Sequence, residues 1–314
     1  MINRAIGLDE TQSNTLYFPY NRLRHQTQTM ISYVLRLTDP AATHVEHSGN
    51  KGANVAFLTQ KRLPVPTGFI VTARAYQDFI ANGQHLLESV NHWDFQQFEQ
   101  VRRKSEALRA ALFTLPLHKN LITQVYEMLS EYPTDQAFAV RSSLLPNPAM
   151  SSLGQGETYL NHIGEEAVFE RIRDCFLSLW KERAIIERKR HEIPQLEAST
   201  AVVIQQMIVP ELSGVAYTHN IVNPNSNEYL LSIKCGITIE QWLMHRDNGQ
   251  LRYADLTDST PHPQHSRLTD AQIEQLYHLI QRIKVLYDTP QSIDWCLAKN
   301  YLYLLQTRPL ELSE

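Results

Sequence analysis

The stretch "GNKGANVAFLTQKRLPVPTGFIVTARAYQDFI", residues 49–80, decides the fold class. Val55, Phe57 and Leu58 are spaced for a helix packed along one side. "LPVP" then stops that helix, because proline lacks the N–H that would continue it. "GFIVT" reads as a short buried strand, and Thr72 reads as the cap of a second helix over "ARAYQDFI". Helix, break, strand and helix within 32 residues point to a mixed domain with helices laid on a sheet.

Working outward, "SYVLRL" (32–37) reads as the first strand, and helical patterns run through about 95–113 and 118–131. "AFAV" (137–140) is a short apolar strand that ends on Arg141, Ser142 and Ser143, followed by a loop rich in Pro, Ser and Gly. One long helix is expected over 165–190, with Val168, Ile172, Phe176, Leu179 and Ile186 on its buried face. Glu165 and Glu166 at its start and Arg188, Lys189 and Arg190 at its end suit the helix dipole, the basic end reading as solvated. Beyond residue 200 the pattern becomes strand-rich: 200–209, 213–218, 228–234, 292–298 and 301–307, with a helix at 269–287 between. This order predicts an α+β, two-lobed protein with a cleft between the lobes: an extension over 1–32, then a domain over 33–314. The mixed lobe covers about 33–199 and the strand-rich lobe about 200–314.

Composition narrows the function classes. An apolar share of 43% supports a sizeable core, and a net charge of −4 with mixed signs argues against nucleic-acid binding as the main task. The sequence has neither an 18-residue apolar run nor an apolar signal core at its start, so a cytoplasmic location without a membrane span is expected. Cys175, Cys235 and Cys296 lie far apart without a CxxC pair, which argues against a cysteine zinc site or a disulfide framework.

Five segments carry candidate chemistry. In "SGNKGAN" (48–54), glycines flank Lys51 at a helix entry, which suits an anion, although taken alone the segment reads better as a solvated lysine in an entry turn. The spacing is not that of a Walker A loop. Arg141 at a strand end can fork onto phosphate oxygens or form a structural ion pair. "SSLGQGET" (151–158) offers a loop loosened by Gly154 and Gly156, with Thr158 as a phosphate ligand or a cap. Gln205 in "VVIQQMIV" can present its amide to a base edge or lie on an open strand face. In the hairpin "SIDWCLAKNYLYLLQTRPL" (292–310), with Lys299-Asn300 as its turn, Asp294, Gln306 and Arg308 can gather as metal and phosphate ligands.

These segments, in this order, with "AVRSS", "GQGETYLN", "IQQM" and "ELSGVAYT", resemble the nucleotide-binding domain of the phosphoenolpyruvate synthase, pyruvate phosphate dikinase and rifampicin phosphotransferase family, over about residues 33–312. The resemblance implies a two-lobed ATP-grasp fold of the pyruvate phosphate dikinase N-terminal type. It implies ATP and Mg2+ as cofactors and a kinase-like phosphotransferase activity of the pyruvate,water dikinase type. By it, Lys51 and Arg141 hold ATP phosphates, Gly154 and Thr158 belong to the loop over them, and Gln205 lies on the adenine-side strand. Asp294 and Gln306 lie near the metal and phosphates, and Arg308 contacts the γ-phosphate.

In this family the phosphoryl group passes to a histidine on a swivelling domain. None of the 13 histidines here sits in a block resembling that carrier, so the expected acceptor is a separate carrier protein or a small molecule. Ser292 stands where the family commonly has an acid, Asp294 where it has glutamate, and Ser232 near a further expected acid. "LLPNPAMSS" (144–152) likewise lacks acids. These departures keep open a degenerate, non-catalytic nucleotide-binding or regulatory subunit, and a ligase that activates a carboxylate as an acyl phosphate shares the fold.

Overall fold

The computed structural model describes residues 31–146, 156–254 and 266–310. Ser32–Glu314 forms one compact unit. The expected extension over 1–32 lies almost wholly outside the described residues, as does Gly154. No helix among the described residues is long and apolar enough to cross a membrane.

Two antiparallel sheets organise the unit. The first has the order β1-β2-β5-β3-β4, from Val34–Arg36 (β1), Gly68–Val71 (β2), Ala137–Leu144 (β3), Thr158–Ile163 (β4) and Thr200–Gln206 (β5). The second has the order β11-β10-β6-β7-β8-β9. Its strands are Leu212–Tyr217 (β6), Glu228–Cys235 (β7), Thr238–His245 (β8), Leu251–Tyr253 (β9), Gln291–Ala298 (β10) and Tyr301–Pro309 (β11). The strand-rich C-terminal third is therefore one antiparallel sheet, extended by β8 and β9, which the sequence pattern did not mark. β5 is the central strand of the first sheet, so the sheets divide between Gln206 and Leu212 rather than near residue 200.

The helices are Val45–Gln60 (α1), Ala73–Ala81 (α2), Gln84–Leu87 (α3), Phe98–Phe113 (α4), Lys119–Leu129 (α5), Glu165–Leu177 (α6), Glu182–Arg190 (α7) and Asp270–Leu286 (α8). Phe69, Val71, Phe138, Val140, Val202 and Ile204 project from the first sheet into a core shared with α2, α4, α5 and α6. The alternate residues Ile70, Ala201 and Val203 pack on Val55 and Ala56 of α1. Burial on both faces explains the uninterrupted apolar runs "FIV" and "AVVI", since neither face of those strands needs polar residues. Phe69, Ile70 and Val71 are fully buried, each side chain contributing roughly 1.5–3 kcal/mol.

The second sheet buries Ile293, Trp295, Leu302 and Leu304 against α8, and Leu58 of α1 joins that cluster. So α1 packs on both sheets, with Val55 and Ala56 toward the first and Phe57 and Leu58 toward the second. The single apolar side expected from its sequence is thus two adjoining ones.

Two local expectations are corrected. The helix foreseen over 165–190 is divided by a 3-10 turn, Ser178–Trp180. Ser178 Oγ donates back to the Cys175 carbonyl at 2.6 Å, and the Trp180 indole donates to Tyr76 Oη at 3.1 Å, turning the chain. The break shifts the buried face, so Ile185 is fully buried in place of Ile186 and Arg188 is interior rather than solvated. Thr72 does occupy the N-cap position of α2, but its hydroxyl makes no cap bond. It donates to the Ser32 and Tyr33 carbonyls at 2.9 and 3.2 Å, tying β1 to the helix entry.

Candidate functional site

Helix α1 is interrupted at Gly49, where φ 65° and ψ 175° lie outside the helical region. A Cβ there would lie 2.1 Å from the Ser143 carbonyl oxygen, so only glycine permits this approach of helix to strand. Ser143 Oγ accepts from the Gly52 N–H at 2.9 Å and donates to the Ser48 carbonyl at 2.6 Å. A hydroxyl from β3 therefore caps the renewed helix, and the "SGNKGAN" turn satisfies part of its own free N–H set. Ser142 and Ser143 are both fully buried, and the Ser143 hydroxyl serves this docking rather than standing open to an oxyanion.

Lys51 follows the kink, half-buried, with its Nζ 3.5 Å from the Gly156 carbonyl. Burial, then repulsion from Arg141, pushes its pKa down from 10.5 to about 8. Gly156 passes close by: a Cβ there would come within 2.4 Å of Ser142 Oγ and 2.9 Å of Lys51 Nζ. Its lack of a side chain is what permits this close approach.

Arg141 lies on β3 with Ala139 and Ser143, on the face opposite Phe138 and Val140, and so points toward the second sheet. Its Nη1 donates to Gln205 Oε1 at 3.4 Å, and its Nη2 donates to Gln306 Oε1. Gln205 belongs to β5 and Gln306 to β11, so the guanidinium joins the two sheets. Both acceptors are neutral amides, and the buried Arg141 Nε has no partner among the described residues. Burial holds the guanidinium below its ordinary range, Asp294 opposing that shift and Arg308 adding to it. Gln205 is itself anchored by donating from Nε2 to the Pro66 carbonyl at 3.3 Å. Its amide oxygen is turned onto Arg141, a contact the sequence reading did not foresee.

The β10–β11 hairpin supplies the other wall. Its turn residues Lys299 and Asn300 both have positive φ, 52° and 61°, as a type I′ turn requires. Asp294 stands directly opposite Gln306, and Ser292 opposite Arg308. Arg308 Nη2 donates to Asp294 Oδ1 and Oδ2 at 3.1 and 3.0 Å. β11 is fastened to α1 by Asn54 Nδ2, which donates to Thr307 Oγ1 at 2.8 Å, and by Tyr287 Oη, which donates to Asn54 Oδ1. Thr158 opens β4, exposed and in register with Arg141, which sets both side chains on one sheet face. The neighbouring Glu157 is paired to Lys181 at 2.8 Å.

Arg141 and Arg308 thus lie near enough to Lys51 to lower its pKa, and Asp294, paired with Arg308, acts on Arg141. The excess of positive charge, partly removed from water, suits a polyanion. Asp294 and Gln306 supply facing oxygen donors. One carboxylate and one amide oxygen fit Mg2+, which takes one or two carboxylates together with substrate phosphates. The sequence reading missed Asn54, Tyr287 and Glu157, because their roles depend on partners 15 to 253 residues away.

The family profile described as "Pyruvate phosphate dikinase, AMP/ATP-binding domain" matches residues 45–239 and 237–314. Rifampicin phosphotransferase from Bacillus cereus is 29% identical over 90% of this chain and 36% of its own length. A probable phosphoenolpyruvate synthase from Methanothermobacter thermautotrophicus is 26% identical over 94% of this chain and 48% of its own. Phosphoenolpyruvate synthase from Pyrococcus furiosus is 25% identical over 83% and 42%. The chain therefore spans between a third and a half of the length of these relatives. Among solved structures, D-alanine–D-alanine ligase from Helicobacter pylori aligns with a TM-score of 0.36 at 16% identity, over 62% of this chain and 48% of that one.

Proposed function

The chain belongs to the pyruvate phosphate dikinase AMP/ATP-binding domain family, with that family's α+β fold, and from this premise we propose that its cleft binds Mg-ATP and passes a phosphoryl group to an acceptor. The observation that carries the reading is Arg141, a half-buried cation reaching from one sheet to the other and paired with no carboxylate among the described residues. Such a guanidinium is costly to hold in the ligand-free protein and gains most when an anion arrives.

Lys51, Arg141 and Arg308 would take the phosphate oxygens as charge spreads over them during transfer. Thr158 and the loop before it would lie across the phosphates, and Gln205 would hold Arg141 on the side toward the base. Asp294 and Gln306 would hold Mg2+, which supplies charge neutralisation between phosphates. As Arg308 and Arg141 turn to the phosphates, the Asp294 and Gln306 oxygens they now engage become free for the metal. This is an ATP-grasp arrangement in which positioning and electrostatics do the catalysis. In the transfer a phosphorus–oxygen bond of ATP breaks and a bond to the acceptor nitrogen or oxygen forms, with the acceptor's proton released. A histidine on a carrier protein, or a small-molecule hydroxyl, satisfies that chemistry.

Calorimetric titration with ATP, with and without Mg2+, tests the binding step. Saturable heat at or below millimolar ATP is expected, and none at that concentration would overturn the reading. Incubation with β- and γ-labelled ATP then reports whether transfer occurs and which phosphate moves. A second reading, a nucleotide-binding subunit without turnover, is favoured by one feature. Asp294 is tied to Arg308, and the neighbouring positions on its sheet face carry the uncharged Ser292 and Ser232. ATP consumption that disappears in Lys51→Ala and Arg141→Ala would exclude it.

A further inference from the structure

We propose that His44, Glu46 and His47 form a binding site for a borderline divalent transition cation, Zn2+ or its neighbours Co2+ and Ni2+, distinct from the Mg-ATP cleft. Two imidazole nitrogens and a carboxylate oxygen lie within 4.8 Å of one another. The backbone builds the arrangement. His44 is the N-cap of α1, in extended conformation (φ −84°, ψ 120°), which turns its ring back over the first helical turn carrying Glu46 and His47. Its Nδ1 stands 3.2 Å from Glu46 Oε1, and its ring lies nearly parallel to that of His47, 5.8 Å between centroids at 16°.

The donor set selects the class of ion. Two imidazoles and one carboxylate suit zinc, cobalt, nickel and copper, whereas Mg2+ and Ca2+ prefer all-oxygen sites. Three protein ligands leave a fourth position for water or an exchangeable ligand. Bonds of about 2.0–2.1 Å in a tetrahedron put donors roughly 3.4 Å apart, so the outermost pair, within 4.8 Å, has to close by little more than about 1 Å. The side chains of His44 and Glu46 are 56% and 59% exposed, so rotation of either is unobstructed by the core.

The position gives the site a consequence. Ser48 follows directly, its carbonyl bonded to Ser143 on β3 at 2.6 Å, and then come Gly49 and Lys51. A bound cation would cross-link the N-cap to the first turn and brace the segment that leads to the phosphate lysine.

The test uses the full chain without a histidine tag and without nucleotide, titrated with Co2+ and Zn2+. The expected result is one saturable site, seen by visible d–d absorption with Co2+ and by calorimetry with Zn2+, and a Zn2+-dependent rise in Tm. Outer-shell partners of a ligand are already worth about 10–100-fold in affinity, so His44→Ala and His47→Ala should each weaken binding at least about tenfold. The double variant should abolish the absorption band. Asp294→Asn should leave all three signals intact. Binding that survives His44→Ala with His47→Ala, or that disappears in Asp294→Asn, overturns the proposal, as does absence of a saturable site in the unaltered chain. Circular dichroism of each variant separates lost ligation from lost folding, and the exposed His44 alone suffices should the His47 change unfold the chain.

Discussion

Lys51→Met removes a cation that the ligand-free fold holds at a cost. The Lys51 pKa falls from 10.5 to about 8, chiefly through burial and the nearby Arg141. At about 1.4 kcal/mol per pKa unit this corresponds to roughly 3 kcal/mol, and partial exposure of the amine reduces it to about 1–2 kcal/mol. Below pH 8 the lysine is protonated in both folded and unfolded chains, and the whole penalty is present. Between about pH 8 and 10.5 the unfolded chain binds more protons than the folded one, so stability rises with pH and the penalty disappears. Methionine has nearly the same length and no charge, so Lys51→Met should raise the unfolding free energy at pH 7 by about 1–2 kcal/mol and remove that rise. The same substitution should weaken ATP binding, because the penalty is the counterpart of an attraction for phosphate. Urea denaturation at pH 7, 8, 9 and 10, with ATP calorimetry on the same samples, measures both. A variant less stable at pH 7 than the unaltered chain, or one that retains the pH 8–10.5 slope, would refute the electrostatic account of Lys51.

Three further outcomes follow from the geometry. Gly49→Ala combines a positive φ with a Cβ driven into the Ser143 carbonyl, and should cost at least about 1–3 kcal/mol by urea denaturation. Arg141→Met should weaken ATP binding by about 1.5–3 kcal/mol, roughly 10- to 150-fold by calorimetry, since charged hydrogen bonds to phosphate are lost. It should do so without destabilising the fold by a comparable amount, because a buried cation is removed with it. Asp294→Asn should abolish the gain in ATP affinity that Mg2+ provides, while affinity measured in EDTA stays level or rises as Arg308 is released.

Much of the fold was legible because periodicity and punctuation are local. The break at "LPVP", the buried strand "GFIV" and the turn at Lys299-Asn300 each arise from residues within a few positions of one another. β8 escaped notice because its first half is exposed and does not alternate, so its pairing with β7 rather than its own pattern makes it a strand. Within the site, Lys51, Arg141, Asp294, Gln306 and Arg308 each allowed a blander reading alone, and only their shared order, through the family resemblance, pointed to phosphate chemistry.

Tertiary structure decided what each polar group touches. Ser143 became a helix cap because β3 runs beside the Gly49 kink. Gln205 became a support for Arg141 because β5 and β3 pair with Ala139 opposite Gln205. Arg188 went inside because the turn at Ser178–Trp180 rotated α7, leaving its guanidinium stacked on Trp180 and bonded to Gln195 and the Leu179 carbonyl. The sequence by itself determined which segments are helix or strand and which cations are available, since both depend on neighbours in the chain. Only the tertiary structure decided that three of those cations meet between the two sheets and how each is held there. Charge and hydrogen-bond partners act across space, and the contact that joins the two sheets, Arg141 with Gln306, links residues 165 positions apart.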